Sequence, residues 1–125
     1  MIELNIKAVR EEGNIVKERV VFQVTFPCEI GSYVVLKARA VNNNVSNTVI
    51  NAFWFPDKRV NPGDLIVLYT KAGFNREKVN SNGTVSHFFY WNLPLPIWRE
   101  DSIAVLLMRV SEWSHHILLG TVDEE

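Results

Sequence analysis

Ile2, Leu4 and Ile6 alternate with Glu3, Asn5 and Lys7 along the first residues, and this period of two predicts a strand with one buried face. Glu11-Glu12-Gly13-Asn14 interrupts the pattern with turn-forming residues. Val20, Phe22, Val24 and Phe26 then alternate with Val21, Gln23 and Thr25 up to Pro27, as a central strand would. The run from Tyr33 to Arg39 predicts a third strand. Asn42-Asn43-Asn44 predicts a loop after it, because short amide side chains compete for backbone hydrogen bonds.

Val49 to Phe55 and Asp64 to Thr70 form the next two strands, on either side of the corner Asn61-Pro62-Gly63. Proline presets φ near −65° and glycine accepts the positive φ that a type II turn needs next. The flanking strands are therefore expected to run antiparallel to each other, with Leu65 to Tyr69 buried on nearly both faces. The polar stretch Lys71 to Ser86 offers few apolar anchors and reads as the most mobile long loop. Phe88-Phe89-Tyr90-Trp91 resumes strand character until Pro94 and Pro96 end it, since neither ring nitrogen can donate to a ladder. Ile103 to Val110 and His116 to Leu119 predict a terminal hairpin around Ser111-Glu112-Trp113-Ser114. Apolar spacing of helical period is absent beyond a turn or two, so the pattern points to an all-β sandwich or barrel.

With 125 residues, the chain fits one domain, expected to span 1–125, large enough to bury a core without disulfides or a metal. Hydrophobic residues at 47% and charged ones at 22% exclude wholesale disorder. A formal net charge of −1 supplies no global field for nucleic acid or an anionic membrane, so such binding would need a local patch. Cys28 is the single cysteine, which excludes an internal disulfide and a cysteine-based zinc cage and fits a reducing compartment. Residues 1–7 carry no basic region followed by an apolar one, and the expected location is cytoplasmic, with no membrane partner. Asn44-Val45-Ser46 and Asn82-Gly83-Thr84 match the glycosylation acceptor pattern, which an asparagine-rich chain produces by chance.

Catalytic arrangements are not legible. Ser86 adjoins His87 and Ser114 adjoins His115, but sequence neighbours on a strand point to opposite faces and cannot share a proton. His87 is accordingly expected at the surface or a strand edge. His115-His116 lacks a second ligand pair at metal-site spacing, and Glu100-Asp101 reads as a solvated cap to a strand. The glycines are scattered and build no phosphate cradle. The expectation is no enzyme, no catalytic residue, no metal and no cofactor.

The order of motifs resembles the lamin-tail domain family across roughly Ile6 to Leu119. It rests on Val20 and Val21, on Gly31-Ser32-Tyr33-Val34-Val35-Leu36, and on Phe55-Pro56 before Val60-Asn61-Pro62-Gly63-Asp64. After these come Val67-Leu68-Tyr69-Thr70-Lys71-Ala72-Gly73, Trp91, Trp98 ahead of Glu100-Asp101-Ser102, and Ile103-Ala104-Val105-Leu106-Leu107. The resemblance implies a single immunoglobulin-like antiparallel β-sandwich that binds protein or nucleic acid through loops at one end.

Lys58, Arg59, Lys71, Phe74, Arg76 and Lys78 are the candidate binding residues, because two basic turns brought to one end would form a patch suited to phosphates or an acidic protein surface. Trp54, Trp91 and Trp98 are expected as core anchors. Trp113 joins the binding set: its polar neighbours allow exposure at a recognition surface, although packing back over the sandwich end is the expected state. The expected partner is a protein, with nucleic acid as the alternative. Two further readings are a carbohydrate platform using Trp113 and Tyr90, and a homo-oligomeric structural subunit that covers the aromatic strand Phe88 to Trp91.

Overall fold

The computed structural model describes residues 1–120, whose regular structure is almost entirely extended. β1 (Leu4–Arg10) and β2 (Arg19–Val24) carry the two alternating runs and pair antiparallel. β3 (Cys28–Glu29) leads into a short 3-10 turn over Ile30–Ser32, capped by the Glu29 carboxylate, which accepts the Gly31 N–H at 2.9 Å. β4 (Tyr33–Val41) then reverses directly into β5 (Asn44–Trp54). Asn42 and Asn43 both have positive φ, 53° and 64°. Such paired left-handed residues make the two-residue turn whose twist matches the flanking strands, and asparagine tolerates it. The loop expected over 42–44 is thus a tight hairpin turn.

β6 (Arg59–Val60), β7 (Leu65–Tyr69), β8 (Arg76–Val79), β9 (Val85–Tyr90) and β10 (Ile103–Arg109) complete the described strands. One sheet has five strands in the order β1-β2-β7-β9-β8, a second has three in the order β10-β4-β5, and β3 pairs with β6 in a short ladder. Neighbours run antiparallel except β7 and β9, which are parallel. Val20, Phe22, Val24, Ile66, Leu68 and Phe89 from the large sheet close on Tyr33, Val35, Phe53 and Leu107 from the small one. Phe55 is wedged between the layers, edge-on to Phe22 at 6.0 Å and to Phe89 at 5.2 Å. The all-β sandwich expected from the alternation is what the chain forms.

The Pro-Gly corner is a turn as expected: Gly63 has φ of 89° and the Asp64 N–H donates to the Asn61 carbonyl at 3.1 Å. The strands on either side of it do not pair. β5 lies in the three-stranded sheet and β7 in the five-stranded one, so the chain changes layers between them. A turn fixes a local reversal, whereas burial of Leu65 to Tyr69 between β2 and β9 fixes the partner. The expected mobile loop at 71–86 is corrected as well: its centre is β8, hydrogen-bonded to β9 as a hairpin. The expected terminal hairpin is half formed, since β10 pairs with β4 while residues 110–120 hold no strand. Trp91 is half-buried and Trp98 buried against the core, but Trp54 is 49% exposed on the outside of the small sheet.

Two buried polar groups tie loops to the strands. Glu18, fully buried, accepts hydrogen bonds from the N–H groups of Gly13 (2.8 Å), Ile97 (3.0 Å) and Trp98 (3.3 Å), and from the Thr70 hydroxyl (2.5 Å). These donors come from chain segments distant in sequence, and together they replace the water that the carboxylate has lost. Lys37, buried on β4, pairs with the exposed Glu100, whose carboxyl the lysine holds below its ordinary range. Cys28 is buried, and that burial, with Glu3 nearby, pushes its thiol up to about 11.

Candidate functional site

Directly paired residues share a face, so the register of the five-stranded sheet arranges its outer side in three rows. Arg10, Arg19, Tyr69 and Tyr90 make one row. Ala8, Val21, Val67, Phe88 and Arg76 make the next, and Asn5, Gln23, Leu65, Ser86 and Lys78 the third. These rows contain cations, aromatic rings and amides, but no carboxylate.

The rings and cations are in contact. Tyr69 stacks on Tyr90 at 5.5 Å with planes 10° apart, and on Phe88 at 6.4 Å and 26°. The Arg76 guanidinium lies 4.2 Å from the centre of Phe88, and the Lys71 ammonium 4.8 Å from that of Tyr69, with Arg19 at 6.0 Å on the same ring. Each such contact contributes about 0.5–1 kcal/mol at an exposed site and fixes where the charge sits. Tyr90 is covered by the backbone of Gly73, where a Cβ would lie 2.5 Å from the ring, so only glycine lets the chain fold down there. The Gly73 N–H donates to Asn92 Oδ1 at 3.2 Å, which returns the segment over the sheet. Phe74 then projects freely, 92% exposed, two residues before Arg76.

The inward side of β8 has the opposite character. Glu77 pairs with the Lys58 ammonium, which holds its carboxyl below the ordinary range. It also stands 3.9 Å from His87 Nδ1, a buried atom with no hydrogen-bond partner among the described residues. His87 Nε2 donates to Asp64 Oδ2 at 2.9 Å. Asp64 accepts in addition the N–H groups of Asn61 (3.1 Å) and Val85 (3.0 Å), tying the Pro-Gly corner to β9. Burial works to raise the Asp64 carboxyl, but the bond from His87 and those from Val85 and Asn61 outweigh it and bring it below its ordinary value.

His87 is 4% exposed rather than at the surface or an edge, because β8 takes the edge position and covers it. Ser86 faces the other way and bonds to Asn80 at 3.1 Å, so the Asp64–His87 pair addresses no hydroxyl nucleophile on β9. Among the described residues no group of three or more His, Cys, Asp or Glu side chains is arranged to hold a metal ion. The described residues also include no helix long and apolar enough to cross a membrane.

The sequence-derived set is thus divided. Lys71, Phe74, Arg76 and Lys78 gather along the outer face and rim of the large sheet, next to the stacked rings. Lys58 lies behind β8, matched to Glu77, and Arg59 stands opposite Glu29 on the β3–β6 ladder. Trp113 is on the other layer, edge-on to Trp54 at 5.0 Å while remaining 60% exposed. Arg10, Arg19, Tyr69 and Phe88 belong to the face but were outside that set. Their signal was parity: Arg19 shares odd positions with Val21 and Gln23, opposite in phase to the buried Val20, Phe22 and Val24. Comparison with protein-family models, with curated proteins and with solved structures gave no match to this chain.

Proposed function

We propose that this protein is a non-catalytic interaction module that holds single-stranded nucleic acid on the outer face of its five-stranded sheet. One observation carries the reading: cations are seated on stacked aromatic rings, in rows of that face free of carboxylates. Arg19, Arg76 and Lys78 offer charge to phosphates, and Phe74, with both ring faces open, offers a stacking surface to a base. The net charge of −1 makes the attraction local, set by the face rather than by the molecule as a whole. The sequence resemblance to lamin-tail domains is in keeping with a binding role; it implies contact through the loop ends, whereas the cation and ring rows favour a sheet face.

The test is fluorescence anisotropy with a labelled oligodeoxythymidine. If Arg19, Arg76 and Lys78 each neutralise one phosphate, affinity falls about 20-fold between roughly 50 and 200 mM salt, from a single-strand slope of about −0.7 per contact. An acidic peptide of the same length is the control for a protein partner. Absence of oligonucleotide binding at low salt, binding indifferent to salt, or tighter capture of the peptide would each overturn the reading.

A further inference from the structure

The outer side of the three-stranded sheet is built entirely differently. The register sets Val34 beside Trp54 and Met108, Leu36 beside Ala52 and Leu106, Ala38 beside Val49 and Ala104, and Ala40 beside Val45. Every one of these side chains is apolar, and Val45, Val49, Trp54 and Met108 are large and exposed. The chain that follows β10 passes this face, where Trp113 leans on Trp54. Beyond Trp113 it carries Ile117, Leu118 and Leu119, all exposed, with Leu118 86% open to solvent. Leu36 and Ala38, on the central strand of the face, are buried within one copy, so the open apolar surface is Val45, Val49, Trp54 and Met108 on the flanking strands together with the arm that Trp113 anchors there.

We propose that this face is where a second copy of the chain docks, the two small sheets meeting about a twofold axis with the 110–120 arm of each copy covering the apolar face of the other. A twofold pairing places the same patch on both partners, so a face and an arm displayed by one chain complete each other in two. The exposure supports that occupant. Val45, Val49, Trp54 and Met108 on the face are 46–49% exposed and Trp113, Ile117, Leu118 and Leu119 on the arm 60–86%, a set of large apolar side chains of the kind that marks a protein–protein contact rather than ordinary monomer surface. The absence of charge in the paired positions excludes an anionic ligand here and separates this surface from the cationic face on the opposite layer.

Light scattering on size-exclusion fractions of the full chain tests the pairing, run from about 1 to about 200 µM so that weak and strong association are both covered. The expected mass at the upper end is twice 14.4 kDa, with tryptophan emission shifting to the blue as Trp54 and Trp113 become covered. Met108→Glu on the face and Leu118→Asp on the arm should each weaken association at least tenfold while the thermal transition of the monomer stays in place. A mass of 14.4 kDa and an unchanged emission across the whole range would overturn the proposal without any variant. So would a dimer insensitive to both substitutions, or flotation with phosphatidylcholine vesicles by a chain that stays monomeric, which would assign the face to lipid.

Discussion

The two outward faces of this sandwich arise from the same alternation and end up with opposite chemistry. On β2, the buried Val20, Phe22 and Val24 leave Arg19, Val21 and Gln23 outside; on β4, the inward Tyr33, Val35 and Lys37 turn Val34, Leu36 and Ala38 to the other side, where Leu36 and Ala38 are buried among apolar neighbours. The first face becomes a platform of cations seated on rings, and the second an apolar sheet whose exposed side chains, Val45, Val49, Trp54 and Met108, lie on the two strands that flank a buried centre. Even their exceptions are reversed, since the small sheet turns its lysine inward, to Glu100, and its tryptophan outward. The inward phase builds the core and is interchangeable between many sandwiches, so it is the outward phase that distinguishes what each layer can meet.

Removing the buried carboxylate on which three chain segments close would break the contrast most completely. Glu18→Ala deprives the N–H groups of Gly13, Ile97 and Trp98 and the Thr70 hydroxyl of their shared acceptor. Leaving several buried donors unmatched should cost at least about 3 kcal/mol, seen in urea unfolding as a lower midpoint. Oligonucleotide binding and self-association should fall together in that variant. A loss of one function with the other intact would mean that the two layers fold independently.

A selective break comes next in size. Reversing Arg19, Arg76 and Lys78 to glutamate removes three favourable contacts to phosphate and installs three repulsive ones on a single face. We expect oligonucleotide affinity to drop by at least about 100-fold, equivalent to roughly 2.7 kcal/mol, in the anisotropy assay. The mass measured at high concentration should stay as in the parent chain, because no substituted position touches the small sheet. A change in mass would show that the cationic face takes part in association and would erase the division of labour.

The limits of reading this division from the chain follow from particular residues. Val20, Phe22 and Val24 declare their phase because Arg19, Gln23 and Thr25 alternate with them and Val21 alone breaks the polar set, and Asn61-Pro62-Gly63 declares its turn through φ alone. Phe53-Trp54-Phe55 does not declare a phase, since three successive aromatics fit either face; only the pairing of Val35 with Phe53 and of Val34 with Trp54 sends the indole outward. Arg76-Glu77-Lys78-Val79 has no apolar alternation and becomes a strand by pairing with β9, and the burial of His87 follows from that one event. The cation and ring ladder is assembled from β2, β7, β8 and β9, and it depends on a parallel pairing of β7 with β9 that no local pattern encodes. Clusters of charge near each other in sequence are visible beforehand, whereas charges gathered by sheet order are not.

Acid provides the smallest and sharpest separation of the layers. The Asp64 carboxyl, held below its ordinary value of 3.8 by hydrogen bonds from His87, Val85 and Asn61, contributes stability that is fully present above that value. It is lost as the pH falls through the lower value of the folded protein, where the carboxylate must take up a proton and give up acceptor capacity. Asp64 braces the corner to β9 and so supports the cationic sheet alone, while the ladder from β4 to β10 has no contact with it. Amide exchange, corrected for the intrinsic rate at each pH, should therefore accelerate at Asn61 and Val85 on acidification below about pH 4; the small sheet has its own lowered carboxyl, Glu100 on Lys37, so any acceleration at Val35 and Leu36 should be the same in the parent chain and in Asp64→Asn. In Asp64→Asn the step between neutral and acidic pH should shrink, since the residue that loses stability there no longer titrates. A step of unchanged size at Asn61 and Val85 in the variant, or a change at Val35 and Leu36 caused by it, would trace the acid response to another group and not to the corner that steadies one layer.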